Sequence, residues 1–192
     1  MIDGDRLPTL RAARVTLRWL GPEDVGALHE VFSNADVMRY WSRPAFTQLD
    51  DARALLAAIE RAFAARSLFQ WGIARNEDDR VIGTCTLAAV DASNLRAELG
   101  YALGRAYWRQ GLMREALDRL LAYAFGELRL RRLEADVDPR NAASITLLEK
   151  LGFQREGLLR ERWCVAGEVQ DTVWLGLLRR EWEARQPSSS SG

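Results

Sequence analysis

Three short stretches of the chain contain residues that could bind an anion or transfer a proton. The first is residues 108–116, in which Gly111 lies between Arg109 and Arg114, after a strand-like segment and before a helix-like one. The first amides of a helix have no partner within the helix, and the helix dipole places partial positive charge beside them. A phosphate or pyrophosphate group fits this position, although a strand, a glycine-containing turn and a helix also form ordinary connections.

The second stretch opens the next helix, and the third closes it. Asn141 and Ser144 are three residues apart, so both side chains lie on one side of the first turn. Asn141 could equally be a plain N-cap, with Ser144 exposed to solvent. In residues 147–153 the helix ends at Gly152 and leads into a strand. Because single stretches also fit ordinary structural roles, the three are interpreted together.

Composition and charge argue against several classes of protein. The 192 residues are enough for one domain with a core, and 48% of them are hydrophobic. The 27 basic residues balance the 27 acidic ones, so composition gives no support for a direct nucleic-acid or membrane partner. The only histidine is His29, and Cys85 and Cys164 lie far apart in the sequence. We therefore expect neither a metal site nor a Ser-His-Asp triad.

Targeting and nucleotide-binding motifs are absent from the sequence. The first residues include Asp3 and Asp5 and no apolar run follows them, so they are not typical of a secretory signal. No apolar run reaches the length that spans a membrane, and we expect a cytoplasmic protein. A P-loop is excluded because Gly-Lys-Ser/Thr does not occur.

Hydrophobic periodicity predicts the elements that position these stretches. Strands are predicted at residues 15–20, 69–74, 81–87, 96–103 and 132–137, from 153 onwards, and as a final hairpin of 161–165 and 169–178. Helices are predicted from Pro22 to Phe32, over 114–127 and from Asn141 to Gly152. A short helical turn is predicted at 37–41, and a further helix is predicted to begin after Thr47 as its N-cap. We expect one α/β (α+β) domain over residues 1–185, then a disordered tail or a remnant of cloning at 186–192.

The combined motifs resemble the GNAT acetyltransferases, and among these the RimJ/RimL-like branch of ribosomal-protein N-terminal acetyltransferases. The residues that carry the resemblance are 98–101, 107–116, 141–144 and 149–153, which occur in this order. The resemblance extends over almost the whole chain, from residues 14–18 and 34–41 to the hairpin at 167–171. It implies the GNAT fold, a central mixed and mostly antiparallel sheet with splayed strands and helices on both faces.

The resemblance also implies acetyl-CoA as co-substrate and no metal. In this family the cofactor lies where two strands splay apart, so Tyr101 and Leu103 on strand 98–103 are expected to line its pantetheine arm. Asn141 would orient the pantetheine or the acetyl group. The family's pyrophosphate loop, R/Q-x-x-G-x-G/A, places Trp108 first, and Arg109 stands where this branch often has glycine. The expected pyrophosphate contacts are Arg109, Gln110, Gly111, Leu112, Met113 and Arg114.

The implied reaction is direct attack of an amine on the thioester, without an acyl-enzyme. Glu98 is the candidate base, although it could instead be a solvated strand residue. Ser144 is expected to donate a hydrogen bond to the departing CoA thiolate. The tyrosine that other branches place seven residues after the asparagine is replaced here by Leu148.

The acceptor pocket is expected between the first helical region and the last hairpin. Its candidate residues are Met38, Tyr40, Trp41 and Phe46 on one side, and Arg162, Trp163 and Asp171 on the other. The aromatic pair could instead pack in the core. The resemblance implies the N-terminal α-amine of a protein, such as a ribosomal protein, as acceptor. A small amine (polyamine, amino acid or antibiotic) and a non-catalytic acyl-CoA-binding module are the alternatives, and a homodimer is possible.

Overall fold

The computed structural model describes residues 4–186, which form a sheet with helices on both faces. Its strands are β1 Leu10–Arg11, β2 Val15–Arg18, β3 Leu68–Arg75, β4 Val81–Asp91, β5 Arg96–Leu103, β6 Arg132–Val137, β7 Gln154–Val165 and β8 Glu168–Leu178. Its helices are α1 Val25–Phe32, α2 Ala35–Met38, α3 Leu49–Ala64, α4 Leu112–Ala122, α5 Ala142–Leu151 and α6 Arg179–Arg185. The tail predicted at 186–192 lies, apart from Gln186, outside the described residues.

The sheet has the strand order β1-β2-β3-β4-β5-β6-β8-β7. All its neighbouring strands are antiparallel except β5 and β6, which are parallel. These two strands pair only from Arg96 with Arg132 to Glu98 with Glu134. Beyond Glu98 and Glu134 both strands continue without pairing to each other, which opens a gap in the sheet. The predicted mixed, mostly antiparallel sheet with splayed strands is confirmed.

Two hydrophobic clusters cover the two faces of the sheet. One joins the apolar side chains of α4 and α5 to one face, with Leu117, Leu148 and Trp71 fully buried. The other joins α1, α2 and α3 to the opposite face. Burial of these side chains is the main favourable term in holding the layers together. No helix in residues 4–186 is long and apolar enough to cross a membrane.

Several helix ends differ from the sequence-based expectation. Thr47 does not cap α3, because Gln48 occupies the N-cap and the Asp51 carboxylate accepts the backbone amides of Thr47 and Gln48. The helix predicted over 114–127 begins earlier, at Leu112, and widens into a π turn at Tyr123–Glu127. The helical turn predicted at 37–41 is found as the short helix α2, which begins earlier, at Ala35, because Asn34 caps it, and ends at Met38.

Candidate active site

A cavity of about 630 Å³ occupies the gap between β5 and β6. Its walls are formed by the second half of β5, the end of β6, the start of α5, the turn after α2, the turn before α4, and β8. Its size and mixed apolar and polar lining are typical of a small-molecule site.

Residues of β5 reach the cavity from both faces of the sheet. Successive strand residues point to opposite faces. Leu99 and Leu103 pack in the cluster beneath α4 and α5, whereas Ala102 packs in the cluster beneath α1 to α3. By the same alternation, Glu98 lies on the α1–α3 face and Tyr101 on the α4–α5 face. Both line the cavity, so two reactants could meet there from opposite sides.

The turn before α4 has the backbone geometry of an anion site. Arg109 (φ +61°) and Gly111 (φ +77°) both lie in the left-handed region. Backbone turns of this kind, followed by a helix start, aim several amides at one point. Arg109 and Met113 line the cavity, whereas Gln110, Gly111, Leu112 and Arg114 belong to the turn and the helix start without lining it. Two of the six predicted pyrophosphate contacts thus line the cavity, and the other four are their neighbours in the chain.

Contacts from distant parts of the chain hold this turn in place. The Trp108 indole donates to the carbonyl of Leu103 at 2.7 Å. The Arg14 guanidinium donates to the carbonyl of Gln110 at 3.0 Å and forms an ion pair with Glu115 at 2.8 Å. The sequence alone did not identify Arg14 and Glu115 as the residues that hold this turn, because they are 101 positions apart and no local pattern pairs them.

At the start of α5, Asn141 and Ser144 have different tasks. The Asn141 side chain accepts the backbone amide of Ser144 at 3.2 Å, so it is an N-cap, and it also lines the cavity. The Ser144 Oγ lies 2.6 Å from the Tyr101 Oη, and either oxygen could donate. Burial raises the pKa of Tyr101 to about 12, and the bond to Ser144 opposes this only in part. The phenol is therefore neutral at physiological pH.

The carboxylate of Glu98 has no hydrogen bond or ion pair within residues 4–186, and in this it differs from its neighbours in the cavity. The other lining carboxylates all have partners: Asp36 with Arg105, Asp136 with Trp163 and Thr172, Asp138 with Arg140, and Asp171 with the Glu161 amide. Burial raises the pKa of Glu98, and the nearby charges of Asp136 and Glu134 raise it further. Glu98 thus has the properties expected of a general base.

The apolar and aromatic residues expected on the acceptor side are divided between the cavity and the core. Tyr40, Trp41 and Trp163 line the cavity. The Trp163 indole is fixed by a 3.1 Å hydrogen bond to Asp136. Met38 does not line the cavity, because its side chain is buried in the cluster beneath α1 to α3 and is only 5% exposed. Phe46 also packs there, against Phe32.

Metal and thiol chemistry find no support in the described part of the chain. No three His, Cys, Asp or Glu side chains among residues 4–186 converge as metal ligands. Cys85 is buried, and its burial raises the pKa of the thiol above its usual value, so the reactive thiolate is suppressed. Cys164 is exposed and does not line the cavity.

Comparisons with known proteins agree with this geometry. Residues 14–154 match the Acetyltransferase (GNAT) domain. The chain is 39% identical to the uncharacterized N-acetyltransferase p20 of Bacillus licheniformis, over 92% of this chain and 99% of p20. It is 28% identical to the spermidine N(1)-acetyltransferase of Escherichia coli, over 90% of each chain. It is 29% identical to the [ribosomal protein uS5]-alanine N-acetyltransferase of Escherichia coli, over 68% of each.

Comparison with a solved structure agrees with the fold described above. A GNAT acetyltransferase from Bacillus anthracis superposes with a TM-score of 0.81, at 24% identity over 91% of this chain and 100% of that one. Three observations lead to one assignment. The domain pattern matches most of the chain, the identity to p20 is high, and the sheet is splayed. The chain belongs to the GNAT family of acetyltransferases.

Proposed function

We propose that this enzyme transfers the acetyl group of acetyl-CoA to the N-terminal α-amine of a protein, by direct attack in the cavity between β5 and β6. The observation that carries the proposal is the unpaired carboxylate of Glu98. It faces the cavity from one side of the sheet, while Tyr101 and Ser144 face it from the other. A proton acceptor and a hydroxyl donor thus lie on opposite sides of the gap where an amine and a thioester could meet.

The shape of the cavity supports acetyl-CoA as donor. The turn from Arg109 to Met113 offers backbone amides and one guanidinium to a pyrophosphate. The unpaired edge of β5 beyond Glu98 offers backbone groups to the amides of the pantetheine arm, as an added strand would use them. Asn141 and Ser144 then lie close to the thioester end. A volume of about 630 Å³ leaves space beside this arm for the terminal residue of an acceptor.

The proposed reaction moves two protons and one acyl group. Glu98 accepts the first proton from the acceptor's ammonium group, directly or through a water molecule. The neutral amine attacks the carbonyl carbon, its nitrogen releases the second proton to solvent, and the C–S bond breaks with its electron pair left on sulfur. The Ser144 hydroxyl donates a hydrogen bond to the thiolate, which lowers the energy of the leaving group. No residue of the enzyme is acetylated in this scheme.

The charge of the cavity favours a cationic acceptor. Five carboxylates line the cavity, and three of them form ion pairs with arginines. Asp171 accepts only the neutral Glu161 amide, so Asp171 and Glu98 both lack an ion-pair partner that an ammonium group could provide. The α-amine of a peptide has one charge, and Tyr40, Trp41 and Trp163 offer walls for its first side chains.

A small amine remains the alternative acceptor, because the relatives include a spermidine acetyltransferase as well as a ribosomal-protein acetyltransferase. The test measures CoA release with peptides that have a free α-amine, the same peptides with a blocked α-amine, spermidine and single amino acids. We expect turnover with free peptides and at least about tenfold lower kcat/KM with spermidine, a difference of about 1.4 kcal/mol. Higher kcat/KM with spermidine would contradict the proposed acceptor. Tight CoA binding without turnover on any amine would favour a non-catalytic module.

A further inference from the structure

The hydroxyl groups of Tyr101 and Ser144 form a close pair in the lining of the cavity between β5 and β6. Their oxygens are 2.6 Å apart, whereas the Tyr101 Oη lies 3.4 Å from the carbonyl oxygen of Ser144. Tyr101 lies on β5 and Ser144 in the first turn of α5, so the pair also joins the strand to the helix across the splayed gap. The family resemblance assigns Tyr101 to cofactor contact only.

The direction of this hydrogen bond decides where the Ser144 proton points. Only one of the two hydroxyl protons can lie between the oxygens. A phenol is a stronger donor than an aliphatic alcohol, and within residues 4–186 the Ser144 Oγ is the nearest acceptor to the Tyr101 Oη. Burial keeps the Tyr101 phenol protonated, with its pKa raised to about 12. These properties favour Tyr101 as the donor, which directs the Ser144 proton away from it.

We infer that Tyr101 is a positioning residue that orients the Ser144 hydroxyl, so that its proton points into the cavity toward the departing thiolate. This inference rests on the proposed function. Without Tyr101, a serine hydroxyl in the first turns of a helix can turn back to a backbone carbonyl of the preceding turn, where its proton is lost to the reaction. With Tyr101 present, its phenol donates to a lone pair of the Ser144 Oγ, and the Ser144 proton points into the cavity before the C–S bond breaks.

The proton balance of the step leaves Tyr101 unchanged. The electron pair of the C–S bond goes to sulfur, and the thiolate accepts the hydrogen bond of Ser144. A thiol has a pKa of about 8.5, well below that of the buried phenol, so Tyr101 keeps its proton and the thiolate takes one from solvent as CoA leaves.

The experiment compares Tyr101→Phe, Ser144→Ala and the double variant, with Tyr123→Phe as the matched control. Tyr123 is also a buried tyrosine, its hydroxyl has no hydrogen bond among the described residues, and it does not line the cavity. For each protein kcat, the Kd of acetyl-CoA and the melting temperature are measured. Because removal of one donor to a developing anion costs about 10²- to 10³-fold in kcat, we expect that loss for Ser144→Ala. For Tyr101→Phe we expect about tenfold, with an unchanged Kd.

The decisive result is the absence of additivity. Tyr101→Phe should cost nothing further in the Ser144→Ala background, and it should still cost about tenfold in Ser144→Thr, which keeps the hydroxyl. An equal loss in both backgrounds, or a loss confined to the Kd of acetyl-CoA, overturns the inference. If Tyr101→Phe does not fold, full activity of Ser144→Ala overturns it instead. Absence of turnover by the wild type with every amine overturns the proposed function, and the inference with it.

Discussion

Glu98 and Glu134 are paired across β5 and β6, yet only one of the two carboxylates has partners. Glu134 accepts from Arg96 at 2.9 Å and from Arg132 at 2.8 Å, whereas Glu98 has no partner within residues 4–186. The pair is also the last contact before the strands separate. The sheet thus places a neutralised carboxylate where the strands still pair, and an available one in the lining of the cavity.

Trp163 should affect the acceptor and not the cofactor. Trp163→Ala removes an indole that lines the acceptor side and is fixed by Asp136. We expect the KM of the peptide to rise about 5- to 150-fold, because loss of an anchoring aromatic costs about 1–3 kcal/mol. The KM of acetyl-CoA should stay the same. Leu158→Ala, an exposed residue of the same strand that does not line the cavity, is the control and should leave both constants unchanged.

Glu115 should be required for a well-ordered pyrophosphate turn. It accepts the side chain and the backbone amide of Arg14, and Arg14 in turn holds the Gln110 carbonyl. We expect Glu115→Ala to lower the free energy of unfolding by about 1–3 kcal/mol and to weaken acetyl-CoA binding several-fold. Calorimetric titration and urea unfolding measure the two effects. Glu127→Ala, in the turn that follows the same helix, breaks only a 3.6 Å surface pair with Arg119 and should change neither quantity measurably. Equal effects of the two substitutions would contradict the role of Glu115.

Met38 should behave as a core residue. Its side chain is 5% exposed and packs beneath α1 to α3. Met38→Ala should reduce the free energy of unfolding by about 2–5 kcal/mol, since it leaves a cavity in a packed core. Under conditions where the variant is folded, the KM of the acceptor should match that of the wild type. A large change in this KM with unchanged stability would return Met38 to the acceptor site.

The ionised form of Glu98 should lower the free energy of unfolding at neutral pH. Its pKa in the folded protein is raised, so between the unfolded and folded pKa values the folded state binds more protons than the unfolded chain. Stability contributed by the protonated form is therefore lost as pH rises through this window. We expect Glu98→Gln to be more stable than the wild type at pH 7, and the difference to shrink below the unfolded pKa. Urea unfolding at several pH values measures this, and an unchanged difference at all pH values would contradict it.

Local signals in the sequence predicted the parts of the fold that neighbours along the chain determine. Strand β5 was expected over residues 96–103 and is found there. The cap at Asn141 and the end of α5 at Gly152, with φ +103°, also agree. In each case a turn, a capping side chain or a glycine marks the boundary without help from distant residues.

The parts that sequence reasoning missed depend on tertiary contacts. The Arg14–Glu115 pair and the Tyr101–Ser144 pair join residues 101 and 43 positions apart. No hydrophobic period encodes such contacts. Met38 and Val37 are adjacent apolar residues in a helix of four residues, and such a helix is too short for its pattern to show which residue faces the cavity.

The rate of Glu98→Gln at saturating acetyl-CoA and peptide shows whether Glu98 is the general base. We expect a loss of about 10²- to 10⁴-fold in CoA release, with the Kd of acetyl-CoA unchanged, because general-base catalysis contributes that much. The wild-type rate should fall as pH drops through the raised pKa of Glu98, and the variant should lack this dependence. Glu60→Gln, an exposed residue of α3, serves as the control. A Glu98→Gln rate close to wild type, with the same fall at low pH, would show that Glu98 is not the general base.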